Sequence, residues 1–364
     1  MTLVGLEKDE LDTPSLLIDL DVMERNLSIM ADYYKGVNAN LRPHIKPHKS
    51  PIIAHKQLEA GAIGITCQKL GEAEVMAAAG ISEILLANQI ANEQKIRRLI
   101  GLAKHSNVIV GVDNINNVKQ ISRAAFKQGV DINVAMEIDA GRCGIQAGKP
   151  AVSFAKEIMR CKGLKFSGIW FHKGIRSYKK FEERKRVHFE LLKPVMETKD
   201  MIEDAGIDVE IVSAGATSTY KITPEVVGIT EVQPGCYVFM DHEYKSIEGM
   251  ESFNCALTIL ATVISRPSRD RAIIDVGLKS RGSNYTTLIP PLVKDIEGIE
   301  VTGFSAEHGH LKLKSPSKEL DVGDKLELIP SNCDTTVNMY DEYIGIRDNR
   351  VEVIWPISAR GKTQ

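Results

Sequence analysis

The feature that most constrains this chain is an alternation, sustained over residues 20–212, between short apolar runs and longer helix-patterned stretches. The apolar runs are AIGIT at 62–66, EILLA at 83–87, NVIVGV at 107–112, NVAMEI at 133–138, LKFSGIW at 164–170 and VEIVS at 209–213. Between them lie charged or alanine-rich stretches such as NEQKIRRLIGLAKH and the run from Phe181 to Ala205. Asp21 is expected to cap a first helix running through Val22, Met23, Leu27 and Met30. Strands apolar on both faces and separated by helices imply a parallel sheet covered by helices. LRPHIK at 41–46 reads as a seventh strand, and YVFMD after Pro234 as an eighth. Eight such units close a (β/α)8 barrel. An open doubly wound sheet usually carries a G-x-G-x-x-G turn after its first strand, and this chain has none.

Past residue 250 the pattern changes. CALTILATVIS, RAIIDVG, IEVTGFS, KLELIP and VEVIWP are strand-like and joined by turns such as PSRD and DVGD, with no long helical pattern between them. The expected division is a barrel over 20–250 and a mainly β domain over 251–364, with residues 1–19 packing on the latter. A chain of 364 residues with 43% hydrophobic content supports more than one core.

Charge and composition exclude several partners. Lys plus Arg is 46 and Asp plus Glu is 48, and no basic stripe interleaved with aromatics is present. That argues against nucleic acid. No run of about 18 apolar residues is present, so no membrane span is expected. The opening MTLVGLEKDELDTP lacks a basic segment followed by an apolar run. The six cysteines are scattered without knuckle or redox spacing. A reduced, cytoplasmic setting is the expectation.

Four groups of residues are suited to chemistry. Arg42, His44, Lys46, His48 and Lys49 crowd into RPHIKPHK, and strand alternation puts His44, Lys46 and His48 on one face. A lysine at the C-terminal end of a barrel strand is placed for Schiff-base chemistry. Lys46 is the candidate by position and Lys49 its rival. SAGATST at 213–219 offers small residues, hydroxyls and amides for a phosphate, with Ser213, Gly215 and Thr217 as candidates. PGCYVFMD at 234–241 could add Gly235, Cys236 and Tyr237 to the same anion. EIDAGRCG at 137–144 brings Arg142 to a strand end, facing a cofactor ring or a carboxylate. In the β domain, His308 and Asp334, with Asn332 as a weak oxygen ligand, could hold a divalent metal.

Read in order, RPHIKPHK, CQKLGEAE, EIDAGRCG, SAGATSTY, PGCYVFMD, SAEHG, CDTTVN and WPISARGK resemble the D-threonine aldolase and D-serine dehydratase family, whose N-terminal domain is like that of alanine racemase. The resemblance covers nearly the whole chain. It implies a pyridoxal 5'-phosphate barrel of the alanine racemase type, a second β domain, and a homodimer with its active site near the interface. It implies that Lys46 forms the internal aldimine, that Arg142 lies near the pyridine ring, and that the segments around Ser213 and Gly235 bind the phosphate. His44 and Gln68 are expected to line the site. It also implies a divalent metal (Mn, Zn or Mg) near the substrate hydroxyl.

Two positions depart from the pattern. Asn332 stands where the family's metal-ligating histidine is expected, followed by Asp334 at the second ligand position. The aldolases carry a tyrosine where this chain has His172, and a histidine where it has Tyr178. The His172 loop is similar to the eukaryotic dehydratases, whereas NCDTTVN and WPISARGK are similar to the aldolases.

The leading expectation is a lyase that cleaves a D-3-hydroxy amino acid, of the D-threonine or 3-hydroxy-D-aspartate type, to glycine and an aldehyde, with metal assistance. In that reading His172 or Tyr178 takes the hydroxyl proton. One alternative is dehydration of D-serine or 3-hydroxy-D-aspartate to a keto acid and ammonia. Another is a racemase or a non-catalytic pyridoxal-phosphate carrier.

Overall fold

The computed structural model describes residues 3–282, 289–314 and 320–364. The chain divides into two compact units. The barrel unit comprises residues 30–46, 51–235 and 362–364, and the β-rich unit comprises 1–29, 47–50 and 236–361.

In the barrel unit eight strands run parallel: Asn40–Leu41, Ile65–Cys67, Glu83–Leu86, Asn107–Val112, Ile132–Glu137, Leu164–Phe171, Ile211–Ala214 and Glu231–Val232. Each sequence neighbour from Ile65–Cys67 onward is also a spatial neighbour, and Glu231–Val232 pairs with Asn40–Leu41. The ring closes where His44 bridges Thr66, with Ile45 N donating to Thr66 O at 2.9 Å and Thr66 N donating to Pro43 O at 2.8 Å. The alanine-racemase-type barrel read from the sequence is therefore the fold.

Local chemistry explains the elements. Asn92 caps the helix Glu93–Ala103 by accepting from Lys95 N at 2.8 Å. Gly129, with φ of 64°, ends the helix Ile115–Gln128 in the left-handed conformation that favours glycine. The first helix, Leu20–Tyr34, is capped two residues earlier than expected. Asp19 Oδ1, not Asp21, accepts from Val22 N at 3.0 Å, and Asp21 pairs with Arg347 instead. The barrel interior holds Leu85, Ala87, Ile109, Ala135 and Trp170, all nearly inaccessible. Burying each large apolar side chain there contributes about 1.5–3 kcal/mol.

The eighth strand is Glu231–Val232, not YVFMD. Residues Cys236–Val238 form a 3-10 turn in the β-rich unit. Sequence patterning misses the true strand because it is two residues long and carries a glutamate. Glu231 is 2% exposed and pairs with Arg42 Nε at 2.9 Å, so a buried ion pair occupies a place where an apolar residue is expected.

The β-rich unit is a mixed sheet ordered Ile299–Phe304, Gly309–Leu313, Arg271–Ile274, Leu257–Ser268, Ser15–Asp19, Glu342–Arg347 and Arg350–Pro356. Lys325–Ile329 also pairs with the long Leu257–Ser268 strand. The N-terminal strand Ser15–Asp19 runs antiparallel to Leu257–Ser268 and parallel to Glu342–Arg347. Leu11, Leu17, Leu260, Ile344 and Val351 form a buried cluster behind it.

Candidate active site

Because the barrel strands are parallel, all their C-terminal ends meet on one rim. Lys46 follows the closing bridge at His44, and Gln68 follows Ile65–Cys67. Arg142 lies in the turn after Ile132–Glu137, and His172 directly follows Leu164–Phe171. Gly215 and Gly235 follow the last two strands.

Hydrogen bonds fix the orientation of several of these groups. Lys46 N donates to His44 Nδ1 at 3.2 Å, which makes that nitrogen an acceptor. His44 Nε2 therefore carries the proton and donates to Gln68 Oε1 at 3.3 Å. Gln68 Nε2 in turn donates to Ala87 O at 2.9 Å. Two adjacent strands thus hold the base of Lys46.

His172 reports on its neighbours. Although its side chain keeps some solvent access, it lies deep among the strand ends, and its pKa falls to about 4. Desolvation is the main cause, followed by the positive charges of Lys46 and Arg142, while a hydrogen bond to the Gly215 backbone opposes the drop. His172 is therefore a neutral imidazole at physiological pH. The same interactions gather Lys46, Arg142, His172 and Gly215 around one point. Lys49 is not among them. It is buried, sits in the left-handed region with φ of 50°, and belongs to the β-rich unit, where its carbonyl accepts from Ala359 N at 3.0 Å.

The turn after Ile211–Ala214 is a cradle of small and hydroxylic residues. Gly215 has φ of 82°, and a Cβ there would meet Thr223 Oγ1 at 2.5 Å and Val232 Cγ1 at 2.9 Å. Gly235 N donates to Thr217 Oγ1 at 3.1 Å, which ties the last two strand ends together. Ser213, Gly215, Thr217 and Gly235 thus share one end of the barrel unit. Cys236 and Tyr237 belong to the β-rich unit. There Cys236 Sγ donates to Asp334 at 3.7 Å, and Tyr237 packs edge-on against Phe253. Tyr178 is exposed; its backbone N donates to Ile175 O and its carbonyl accepts from Arg184 Nη1, each at 3.0 Å.

Three polar residues escaped the sequence reading. Glu137 is 1% exposed, pairs with Arg142 Nη2 at 3.4 Å and accepts from Gln89 Nε2. Burial raises its pKa against the opposing effects of Gln89 and Arg142. Gln233 is buried and donates to Ser213 Oγ at 2.7 Å. All three sit at or just past strand ends, so position on the barrel rim is the signal that finds them.

The residues suit pyridoxal phosphate. A lysine amine, an arginine, a neutral imidazole and a glycine- and threonine-rich turn match its aldehyde, ring and phosphate. Among the described residues of the β-rich unit, no three His, Cys, Asp or Glu side chains gather into a ligand group. Asn332 Oδ1 caps the helix Cys333–Val337, accepting from Thr335 N and Thr335 Oγ1 at 3.1 Å each. Its remaining polar atom, Nδ2, is a donor, and it is buried without a partner. His308 is exposed in a hairpin turn. Among the described residues, the one group of three or more metal-ligating side chains is Asp113, Glu137 and Cys143 in the barrel unit, with ligand atoms within 4.8 Å of one another.

Comparison with known proteins agrees with this geometry. Residues 18–243 match the alanine racemase N-terminal domain, and residues 256–346 match a domain described as a putative serine dehydratase domain. The chain is 36% identical to a 3-hydroxy-D-aspartate aldolase of Paracoccus denitrificans, over 99% of this chain and 95% of that protein. The crystal structure of D-threonine aldolase from Filomicrobium marinum superposes with a TM-score of 0.96 at 35% identity, covering 100% of this chain and 99% of that one. The chain belongs to the family with an alanine-racemase-like N-terminal domain that includes D-threonine and 3-hydroxy-D-aspartate aldolases and the related dehydratases. It is a pyridoxal-phosphate-dependent enzyme of the lyase type. A D-threo-3-hydroxyaspartate dehydratase from Delftia shares the fold at a TM-score of 0.86 and 27% identity, over 96% of this chain and 98% of that one. A cysteine variant of that dehydratase is known in a metal-free form. No helix among the described residues is long and apolar enough to cross a membrane.

Proposed function

We propose that this enzyme cleaves a D-3-hydroxy amino acid between Cα and Cβ, giving glycine and an aldehyde. The observation that carries the reading is similarity over the full chain to two aldolases. The neutral His172 beside Lys46 and Arg142 supplies a base at the barrel rim.

Pyridoxal phosphate, when bound, supplies an aldehyde that takes up the substrate amine and a conjugated ring that accepts the electron pair released at Cα. Lys46 Nζ is the amine that would hold it covalently. Arg142, steered by Glu137, would face the ring nitrogen, and the turn around Gly215, Thr217 and Gly235 would hold the phosphate. His172 has a free lone pair at physiological pH, so one of its ring nitrogens can accept the β-hydroxyl proton as the carbonyl of the departing aldehyde forms. Tyr178 is exposed and worse placed for that role. With Asn332 Oδ1 spent on its helix cap, no step is assigned to a metal.

The second reading is dehydration, favoured by the His172–Tyr178 loop and the fold shared with the Delftia dehydratase. There Lys46 Nζ takes the Cα proton and His172 helps the hydroxyl leave. The working form in both readings is a cytoplasmic homodimer with its active site near the interface, acting on a small amino acid. Sedimentation of the loaded enzyme tests the dimer. The deciding experiment is a product assay with D-threonine, D-serine and 3-hydroxy-D-aspartate. Glycine plus aldehyde supports aldol cleavage. Keto acid plus ammonia replaces it with dehydration, and racemised substrate alone replaces both.

A further inference from the structure

The loop that leaves the barrel rim at His172 and runs to Lys180 is tied down at both ends, and the ties converge on the phosphate cradle. At its start the His172 side chain hydrogen-bonds the Gly215 backbone. Beside it Lys173 Nζ donates to Ala140 O at 2.6 Å, in the turn that carries Arg142. At its end stands Arg184, near the start of the helix Phe181–Asp204 and fully buried. Arg184 Nη1 donates to Tyr178 O and Lys179 O at 3.0 Å each, and Nε donates to Ser218 O at 2.8 Å. Ser218 lies in the 3-10 turn Thr217–Thr219, two residues past Gly215. One guanidinium therefore grips the loop and the cradle at once.

An arginine near the start of a helix meets the positive end of the helix dipole, so the helix by itself does not favour this charge. The carbonyl oxygens compensate it. His188, one turn further on the same helix face, gives the cradle a second support. The single hydroxyl proton of Thr223 goes to Thr219 O or Oγ1, each at 3.0 Å, so His188 Nε2 donates to Thr223 Oγ1 at 2.9 Å. Thr223 Oγ1 packs in turn against Gly215, where an added Cβ would meet it at 2.5 Å. The cradle is thus backed by a long helix. Residues 172–180 contain no helix or strand, and Ile175 alone among them is buried. With so little apolar burial, the order of that loop depends on its few polar ties.

We propose that Arg184 is a positioning residue that couples the phosphate cradle to the His172 loop. A cofactor phosphate in the cradle fixes the turn that carries the Ser218 carbonyl, and through Arg184 it fixes the Tyr178–Lys179 end of the loop. His172, at the other end of the same loop, is then held most firmly when the cofactor is seated. A lysine in place of Arg184 keeps the charge but is a point donor, without the planar fork that spans two segments. The coupling rests on the cradle taking the phosphate, as proposed above, and is the same whether cleavage or dehydration follows.

Amide hydrogen exchange on the full chain, read by mass spectrometry, tests it. Cofactor-free wild type is compared with protein loaded with pyridoxal phosphate, and with protein given pyridoxal, which has the aldehyde and ring without the phosphate. We expect pyridoxal phosphate to slow exchange in residues 213–219 and in 173–180, the latter by about 5–150-fold, the usual range of coupling between two sites. Pyridoxal should leave 173–180 exchanging as in the cofactor-free protein. In R184K, pyridoxal phosphate should still protect 213–219, while the protection of 173–180 is lost. Pyridoxal that protects the loop as well as pyridoxal phosphate does overturns the coupling, and so does an R184K whose loop gains full protection. If R184K does not fold, the two ligands on the wild type decide. A wild-type cradle that gains no protection from pyridoxal phosphate removes the phosphate assignment and the coupling together. A protected cradle beside an unprotected loop removes the coupling alone.

Discussion

The barrel unit and the β-rich unit both bury arginine, and they treat it differently. In the barrel, Arg42 and Glu231 neutralise each other between strands, and Arg184 is saturated by carbonyls. Those charges are compensated inside the fold, with Arg42 Nη1 and Glu231 Oε1 left buried without a hydrogen bond, and the barrel's chemistry is left to groups on the rim. In the β-rich unit the buried guanidinium of Arg281 has only the Ser331 hydroxyl and the Phe304 ring among the described residues. The difference teaches how to sort buried charge. A guanidinium met by a carboxylate or by carbonyls has its charge compensated, whereas one with only a hydroxyl and a ring keeps more of its desolvation cost.

The largest test of this division is at the rim. K46A should lose more than about 10⁴-fold in kcat and the absorbance of bound pyridoxal phosphate, while K49A should stay within about tenfold. Equal losses in both would break the assignment of Lys46 to the rim. H172A should lower kcat by about 10²–10⁴-fold, the usual worth of a positioned base, with little change in cofactor affinity. A steady-state assay beside a cofactor titration separates the two effects.

On the structural side, E231Q should destabilise the protein by about 3–5 kcal/mol in chemical denaturation, because it leaves Arg42 buried beside a neutral amide. Activity per folded molecule should not change. A mild effect would mean that the barrel tolerates a buried guanidinium without its anion.

The pH response sharpens the picture. His172 and His188 both have folded-state pKa values lowered to about 4, chiefly by burial, against an ordinary value of 6.5. Between those values the unfolded chain binds more protons, so stability falls as pH drops from about 6.5 toward 4. Melting temperature across that window checks the sign, and the slope should be shallower in H188F. The smallest expected effect is chelation. With Asn332 Oδ1 committed to its helix cap, dialysis against EDTA should change activity by less than about threefold. A large loss would redirect attention to Asp113, Glu137 and Cys143.

Much of this molecule was readable from its sequence. Runs such as NVIVGV, apolar on both faces, can only be central strands, and the structure places one at Asn107–Val112. Ordered motifs led to Lys46, Arg142 and the Gly215 turn. The strand at Glu231 was hidden because an ion pair replaces apolar patterning, and Asp19 was passed over as a cap because Asp21 fits the same rule.

Sequence by itself determined the barrel, the change of character near residue 250 and the identity of the chemistry-bearing side chains, because periodicity and residue type are local properties. The tertiary structure decided that Lys46 falls in the barrel unit and Lys49 in the β-rich unit, that His172 is neutral, that Asn332 spends its oxygen on a cap and that Glu231 pairs with Arg42. Each of these depends on desolvation and on partners distant in sequence, and neither is written in any local pattern.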